Sequence, residues 1–274
     1  GVDTLLGIEL IQFSDATVRL GSTVSDFNGD GKSDLLLSNT ATGQKSIWLS
    51  ANSATGQSVT SVGAPWAVAG VGDFNADGKS DLLLRNASTG QNAIWLSASS
   101  ATGQSVSSVS APWEVGAIGD FNGDGKSDVL WRNASTGQNA IWLSANSATG
   151  QSVTTVAAPW AIAGVGDFNG DGKSDLLLRN ATSGQNTIWL SANSATGQSV
   201  ASVSAPWAIA GIGDFNADGK SDILWRNATT GQNAIWLSAN SATGQSVASV
   251  SAPWAIASIG DFNADGKSDI LWRN

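Results

Sequence analysis

The stretch APWAIAGIGDFNADGKSDILWRN at residues 205–227 returns at residues 252–274 as APWAIASIGDFNADGKSDILWRN, with Ser258 for Gly211 as the single change. Looser copies precede it. The Asp that opens the central acidic turn stands at Asp26, Asp73, Asp120, Asp167, Asp214 and Asp261, 47 residues apart each time. A fixed period without insertions marks a repeat architecture in which one supersecondary unit is copied. In the second copy, PWAVAGVGDF (65–74) alternates large and small residues, and DLLLRN (81–86), beyond the acidic turn, is apolar and strand-length. QNAIWLS (91–97) and the more polar QSVSSV (104–109) supply a third and a fourth strand, set off by Ser-Thr-Gly and Ser-Ala-Thr-Gly turns.

Four strands per copy predict an all-β fold: a six-bladed β-propeller of four-stranded antiparallel blades, one domain over residues 1–274. The Gly- and Ala-rich strand is expected at the crowded axis and the polar fourth strand at the outer edge. The last copy carries two strands before Asn274, so closure is expected to pair residues 1–16, as TLLGIEL (4–10) and IQFS (11–14), with that copy. TVRLGSTV (17–24) would then be the inner strand of the first blade. An open solenoid is the competing arrangement. Two sets of Trp, one after Pro (Trp66, Trp113, Trp160, Trp207, Trp254) and one in the third strand (Trp48, Trp95, Trp142, Trp189, Trp236), are expected to wedge between blades.

Composition removes whole classes of chemistry. Cys, His, Met and Tyr are all absent, which excludes disulfides, thiol nucleophiles, Cys/His zinc clusters and a histidine general base. No enzyme is expected, since near-identical copies offer no single asymmetric pocket. The lack of Met reads as an excerpt or processed product, and no run of 18 apolar residues exists for insertion into a membrane as a helix. The net charge of -9 is concentrated: each of six nine-residue turns holds three carboxylates, and only Asp3, Glu9, Asp15 and Glu114 of the 22 acidic residues lie elsewhere. Such clusters repel unless cations sit among them, which points to metal and away from nucleic acid.

The turns, at 26–34, 73–81, 120–128, 167–175, 214–222 and 261–269, read D-F-N-[GA]-D-G-K-S-D. Side-chain oxygens stand at positions 1, 3, 5 and 9, and the backbone carbonyl at position 7 is the natural fifth donor, a set suited to a hard cation. The candidate ligands are Asp26, Asn28, Asp30, Lys32 and Asp34, then Asp73, Asn75, Asp77, Lys79 and Asp81, then Asp120, Asn122, Asp124, Lys126 and Asp128. The later copies offer Asp167, Asn169, Asp171, Lys173 and Asp175, then Asp214, Asn216, Asp218, Lys220 and Asp222, then Asp261, Asn263, Asp265, Lys267 and Asp269, each Lys through its carbonyl. All-oxygen donors on an irregular loop predict Ca2+, one ion per repeat and six in all. Position 6 is always Gly, as a sharp turn through positive φ requires, whereas position 4 varies between Gly and Ala and is expected to be free of that requirement. The Phe at position 2, as in Phe27 and Phe74, is expected to face the blade interface.

DFNGDGKSDLLLRN-type segments flanked by PW and TGQNAIW resemble FG-GAP/VCBS-type calcium-binding repeats, the integrin α-like β-propeller repeats, across residues 17–274. The resemblance implies a calcium-loaded propeller of the kind found in large bacterial surface proteins. GVDTLLGIELIQFSDATVRL (1–20) is similar to the segment that follows hemolysin-type (RTX) calcium repeats, which implies an exported multidomain parent. The expected function is a calcium-stabilised extracellular module of a bacterial surface that adheres to a protein or glycan surface or to its own copies. The alternative is a lectin with repeated sites between blades, using the pairs Arg85/Asn86, Arg132/Asn133, Arg179/Asn180 and Arg226/Asn227 with Gln91 nearby.

Overall fold

Alternation of large and small residues leaves one face of each short segment apolar, and such segments bury that face by pairing edge to edge and stacking face to face. In the computed structural model, which describes residues 10–12, 17–19, 25–39 and 42–274, they do so as antiparallel sheets. The first sheet holds β1 (Leu10–Gln12), β2 (Thr17–Arg19), β3 (Leu35–Ser38), β4 (Lys45–Trp48) and β5 (Gln57–Val59). The second holds β6 (Trp66–Gly72), β7 (Asp81–Asn86), β8 (Asn92–Trp95) and β9 (Gly103–Val106). The third holds β10 (Trp113–Gly119), β11 (Asp128–Asn133), β12 (Asn139–Trp142) and β13 (Gln151–Val153). The fourth holds β14 (Trp160–Gly166), β15 (Asp175–Asn180), β16 (Asn186–Trp189) and β17 (Gln198–Val200). The fifth holds β18 (Trp207–Gly213), β19 (Asp222–Asn227), β20 (Asn233–Trp236) and β21 (Gly244–Val247), and β22 (Ala255–Gly260) pairs with β23 (Asp269–Arg273) alone.

Two expectations are corrected. Among the described residues the propeller has five blades of four strands or more, not six, because the sixth repeat contributes the two-stranded sheet β22–β23. Among the described residues no pairing joins the N- and C-terminal segments: β1 pairs with β2, with Leu10 opposite Arg19, rather than with β23. A hairpin spanning a few residues closes at far lower entropic cost than a pairing across the whole chain. The remainder of the proposed closing segment, residues 1–9 and 13–16, lies outside the described residues. Among the described residues a loop contact joins the last repeat to the first, the Ser33 N–H donating to the Asp261 carbonyl at 2.6 Å.

The core lies between consecutive sheets. Phe74, Leu83 and Ile94 of the second blade pack with Val129, Trp131 and Ala145 of the third, and Phe168, Leu177 and Ile188 of the fourth with Ile223, Trp225 and Ala239 of the fifth. The position-2 Phe thus faces the blade interface, and Phe27, Phe74, Phe121 and Phe168 are all buried. Small residues on the first strand of each blade let neighbours approach: a Cβ added at Gly164 would stand 2.1 Å from Ile212 Cδ1. From the second repeat to the sixth the first strand also carries a β-bulge, as between Val68 and Gly70 or Ile162 and Gly164, where the register against the second strand shifts. The third strand is shorter than QNAIWLS: β8 stops at Trp95, and Leu96–Ala98 turns away with Ser97 at φ 46° and Ala98 at φ 56°.

Candidate metal centre

Each acidic turn follows the first strand of its blade and delivers its last Asp as the opening residue, or the residue just before it, of the second strand. In the second copy Asp73 gathers the loop: its Oδ1 accepts from the N–H of Ala76 at 2.7 Å and its Oδ2 from that of Gly78 at 2.8 Å. Asn75 Oδ1 accepts from the N–H of Asp77 at 3.0 Å, Asn75 Nδ2 donates to Asp77 Oδ2 at 2.9 Å, and Asp77 Oδ1 accepts from the N–H of Lys79 at 2.9 Å. Folding the chain this tightly puts both position 6 and position 4 at positive φ, 79° at Gly78 and 62° at Ala76. The expectation for position 4 is thereby overturned: Ala76, Ala217 and Ala264 occupy the left-handed region just as Gly29 does.

The position-9 Asp plays a different part from the other carboxylates. Asp81 is fully buried; its Oδ2 accepts from the N–H of Phe74 at 2.8 Å and its Oδ1 from that of Ser97 at 2.7 Å. The carboxylate therefore ties the acidic turn to the end of the third strand and captures the N–H of a residue held at positive φ, a conformation that costs on the order of 1–2 kcal/mol outside Gly. Asp34, Asp128, Asp175 and Asp222 repeat this clamp on Ser50, Ser144, Ser191 and Ser238. Burial pushes the Asp128 carboxyl up to about 6 against the opposing hydrogen bonds from Ser144 and Phe121, and the charges of Asp120 and Asp124 push the same way. Asp34, Asp81, Asp175 and Asp222 are raised for the same first cause.

Neighbouring turns are linked. The Asp26 carbonyl accepts from the N–H of Ser80, Asp73 from Ser127, Asp120 from Ser174, Asp167 from Ser221 and Asp214 from Ser268, each at 2.6 Å. With the Ser33–Asp261 bond the six turns form one continuous circuit. The stem of Lys79 lies against Gly29 of the preceding turn, and those of Lys173 and Lys220 lie against Gly123 and Gly170 in the same way. Among the described residues, no three carboxylates converge on one point. The donor chemistry nevertheless fits a hard cation. Every side chain at positions 1, 3, 5 and 9 offers oxygen, and the position-9 carboxylate is buried beside two others of like charge.

The Arg–Asn pairs are placed at blade junctions. The Arg85 Nη2 donates to the carbonyls of Val109 at 2.7 Å and Trp113 at 2.8 Å, and its guanidinium lies 5.2 Å from the Trp131 ring of the next blade. Asn86 Oδ1 caps the following turn through the N–H groups of Ser88 and Thr89. The first copy has Ser38 where the second has Arg85 and Lys45 where it has Asn92, yet Lys45 Nζ reaches the equivalent carbonyls, Gly43 and Val62. Sequence reasoning missed this exchange of cation between strands, although the paired substitution at aligned positions carried the signal. Between the fourth and fifth blades a cleft of about 400 Å³ is lined by Arg179, Thr182, Ser183, Ser204 and Trp207 among others.

No curated protein matches the chain. Among solved structures it is similar to the Agrocybe aegerita lectin described in specific recognition of non-reducing terminal N-acetylglucosamine, with TM-score 0.59 and 14% identity over 94% of this chain and 74% of that one. It is also similar to BBS1N from its complex with ARL6DN, with TM-score 0.50 and 10% identity over 92% of each chain. At these identities the likeness shows the β-propeller fold alone. The acidic turns and the strands that follow them match FG-GAP-like repeats at residues 26–84, 120–178 and 214–272, so that the chain belongs to the FG-GAP-like repeat family.

Proposed function

We propose that this chain is a calcium-stabilised extracellular binding module that adheres to a protein or glycan surface. The observation that carries it is the burial of the position-9 carboxylates, Asp81, Asp128, Asp175 and Asp222, with backbone N–H groups as their hydrogen-bond donors and two further carboxylates in the same turn. Asp26, Asn28, Asp30, the Lys32 carbonyl and Asp34, with their counterparts in the other five copies, would hold one Ca2+ each. The ion supplies the positive charge that three carboxylates otherwise lack. At a dissociation constant of ~10⁻⁴–10⁻³ M, usual for extracellular modules, the turns fill outside a cell and stay empty in cytosol. At ten times that constant each site adds about 1.4 kcal/mol, so six together contribute on the order of 8 kcal/mol, comparable with the stability of a domain. With no Cys available for disulfides, calcium takes over the role of a covalent staple. Calorimetric titration of the EDTA-treated chain tests this: about six ions per chain with a large rise in melting temperature is the expected result, and an unchanged melt in excess EDTA refutes it.

The cleft beside Trp207 favours a second reading, a lectin. Trp presents an apolar face on which a pyranose ring stacks, and Thr182, Ser183, Ser204 and the Arg179 guanidinium offer the polar groups that sugar hydroxyls need. The similar Agrocybe aegerita lectin makes terminal N-acetylglucosamine the first probe to apply. On a glycan array, binding that is lost in Trp207→Ala supports the sugar site, and a silent array leaves adhesion to protein as the function.

A further inference from the structure

The acidic turns differ from one another at a single place, the residue after the position-3 Asn. In the first, third and fourth turns Asn28, Asn122 and Asn169 precede Gly29, Gly123 and Gly170; in the others Asn75, Asn216 and Asn263 precede Ala76, Ala217 and Ala264. The backbone does not distinguish them, since position 4 stands at positive φ in every copy. An Asn side chain carries an electrophilic amide carbon, Cγ, and the backbone nitrogen of the next residue is the nucleophile nearest to it along the chain. A Cβ on that next residue crowds the approach, and Gly has none.

In the first turn the groups that such a ring closure needs are already placed. The Gly29 N–H donates to Asp26 Oδ1 at 2.7 Å, so a carboxylate stands where the proton must go. Asn28 Oδ1, on which negative charge develops, accepts from the N–H of Asp30 at 3.0 Å. The leaving nitrogen, Asn28 Nδ2, donates to Asp30 Oδ2 at 2.9 Å. The third and fourth turns repeat the arrangement: the N–H groups of Gly123 and Gly170 donate to Asp120 and Asp167 Oδ1, both at 2.7 Å, and those of Asp124 and Asp171 to Asn122 and Asn169 Oδ1 at 3.0 and 2.9 Å. A lysine from the next turn adds positive charge beside each linkage. Lys79 Cε would stand 3.4 Å from a Cβ on Gly29, and Lys173 and Lys220 Cε 3.3 Å from one on Gly123 and Gly170, each one bond short of its ammonium. All three glycines are exposed, so water reaches the linkage.

We propose that Asn28, Asn122 and Asn169 are sites of self-deamidation, modified by the turns that hold them, and that the Asn-Ala turns are spared. The Gly29 nitrogen bonds to Asn28 Cγ as its proton passes to Asp26 Oδ1. The Cγ–Nδ2 bond breaks, and the departing nitrogen takes up that proton through water and leaves as ammonia. Water then opens the cyclic imide at either carbonyl, giving Asp, or isoAsp with the backbone routed through the former side chain. These turns thereby exchange an amide oxygen for a carboxylate at position 3, while the Asn-Ala turns keep the amide. The reaction draws on the turn's own groups and does not depend on a bound ion.

The experiment holds the full chain at neutral pH in EDTA, while mass spectrometry with peptide mapping follows the amide-to-acid exchange at each Asn and separates Asp from isoAsp. Isomerisation of the Asp-Gly linkages in the same turns leaves the mass unchanged and does not register. The expected result is exchange at Asn28, Asn122 and Asn169 at least as fast as in a free peptide of residues 25–34, with Asn75, Asn216 and Asn263 intact over the same period. Gly29→Ala, which reproduces the sequence of the second turn, should abolish exchange at Asn28 alone. Lys79→Gln should slow it at Asn28 by roughly two- to fivefold and leave Asn122 and Asn169 unchanged. Equal exchange in the Asn-Gly and Asn-Ala turns, exchange at Asn28 slower than in the peptide, or a rate there indifferent to Lys79→Gln overturns the inference.

Discussion

Acidifying the metal-free protein from pH 7 to pH 5 should raise its melting temperature, while the same change in calcium should lower it. The reason is the burial of the position-9 carboxylates. Burial pushes Asp128 up to about 6 from an ordinary value of 3.8, so between those two values the folded state binds more protons than the unfolded one. Stability then falls as pH rises through this window, and acidification restores it. For Asp128 alone the gain between pH 7 and pH 5 is on the order of 1 kcal/mol, a few °C in a chain of this size. Asp34, Asp81, Asp175 and Asp222 are raised by the same cause and add with the same sign. If calcium occupies the turns as proposed, the ion neutralises the carboxylates and protons compete with it, so in millimolar calcium acidification removes stabilisation instead. Differential scanning calorimetry at pH 5, 6 and 7, in EDTA and in calcium, measures both arms. Melting temperatures that move in the same direction in the two buffers would refute the reasoning.

Three substitutions probe the frame that holds the turns. Ala76→Gly removes a Cβ from a left-handed residue and should stabilise the chain by about 0.5–1 kcal/mol in denaturant melts, with Ala217→Gly and Ala264→Gly behaving alike. Gly164→Ala drives a methyl into Ile212 and should cost about 1–3 kcal/mol by the same measurement. Arg179→Ala should destabilise by about 1 kcal/mol more than Arg132→Ala. Both guanidinium groups donate to backbone carbonyls, but only Arg179 lies over a Trp, Trp225, where the residue aligned with it opposite Arg132 is Leu178.

The repeat, the all-β class and the oxygen-donor turns were legible because each leaves a local mark: the 47-residue spacing, the alternation in WAVAGVG, the Asp and Asn at odd positions. Positive φ at Ala76 was not legible, since Ala gives no sign of left-handed backbone in the way that Gly78 does. Nor was the clamp at Asp81: sequence marked it as a candidate ligand, but its contact with Ser97 joins residues 16 apart through a turn that only the assembled sheet brings near. The Arg–Asn pairs read more readily as turn caps and blade-to-blade braces than as sugar ligands, and the distances to the Val109 and Trp113 carbonyls show Arg85 bracing two blades.

By itself the sequence determined what is encoded locally and copied: strand length, turn chemistry, and a ring of acidic turns each carrying the same donors. Tertiary structure decided how the strands of each copy pair and which contact the last turn makes with the first. Among the described residues five sheets have four strands or more, and β22 pairs with β23. The last turn meets the first through Ser33 and Asp261 rather than through strand pairing. Those outcomes depend on which edges find partners across the whole chain, a competition between loop-closure entropy and hydrogen bonding that no single stretch of residues records.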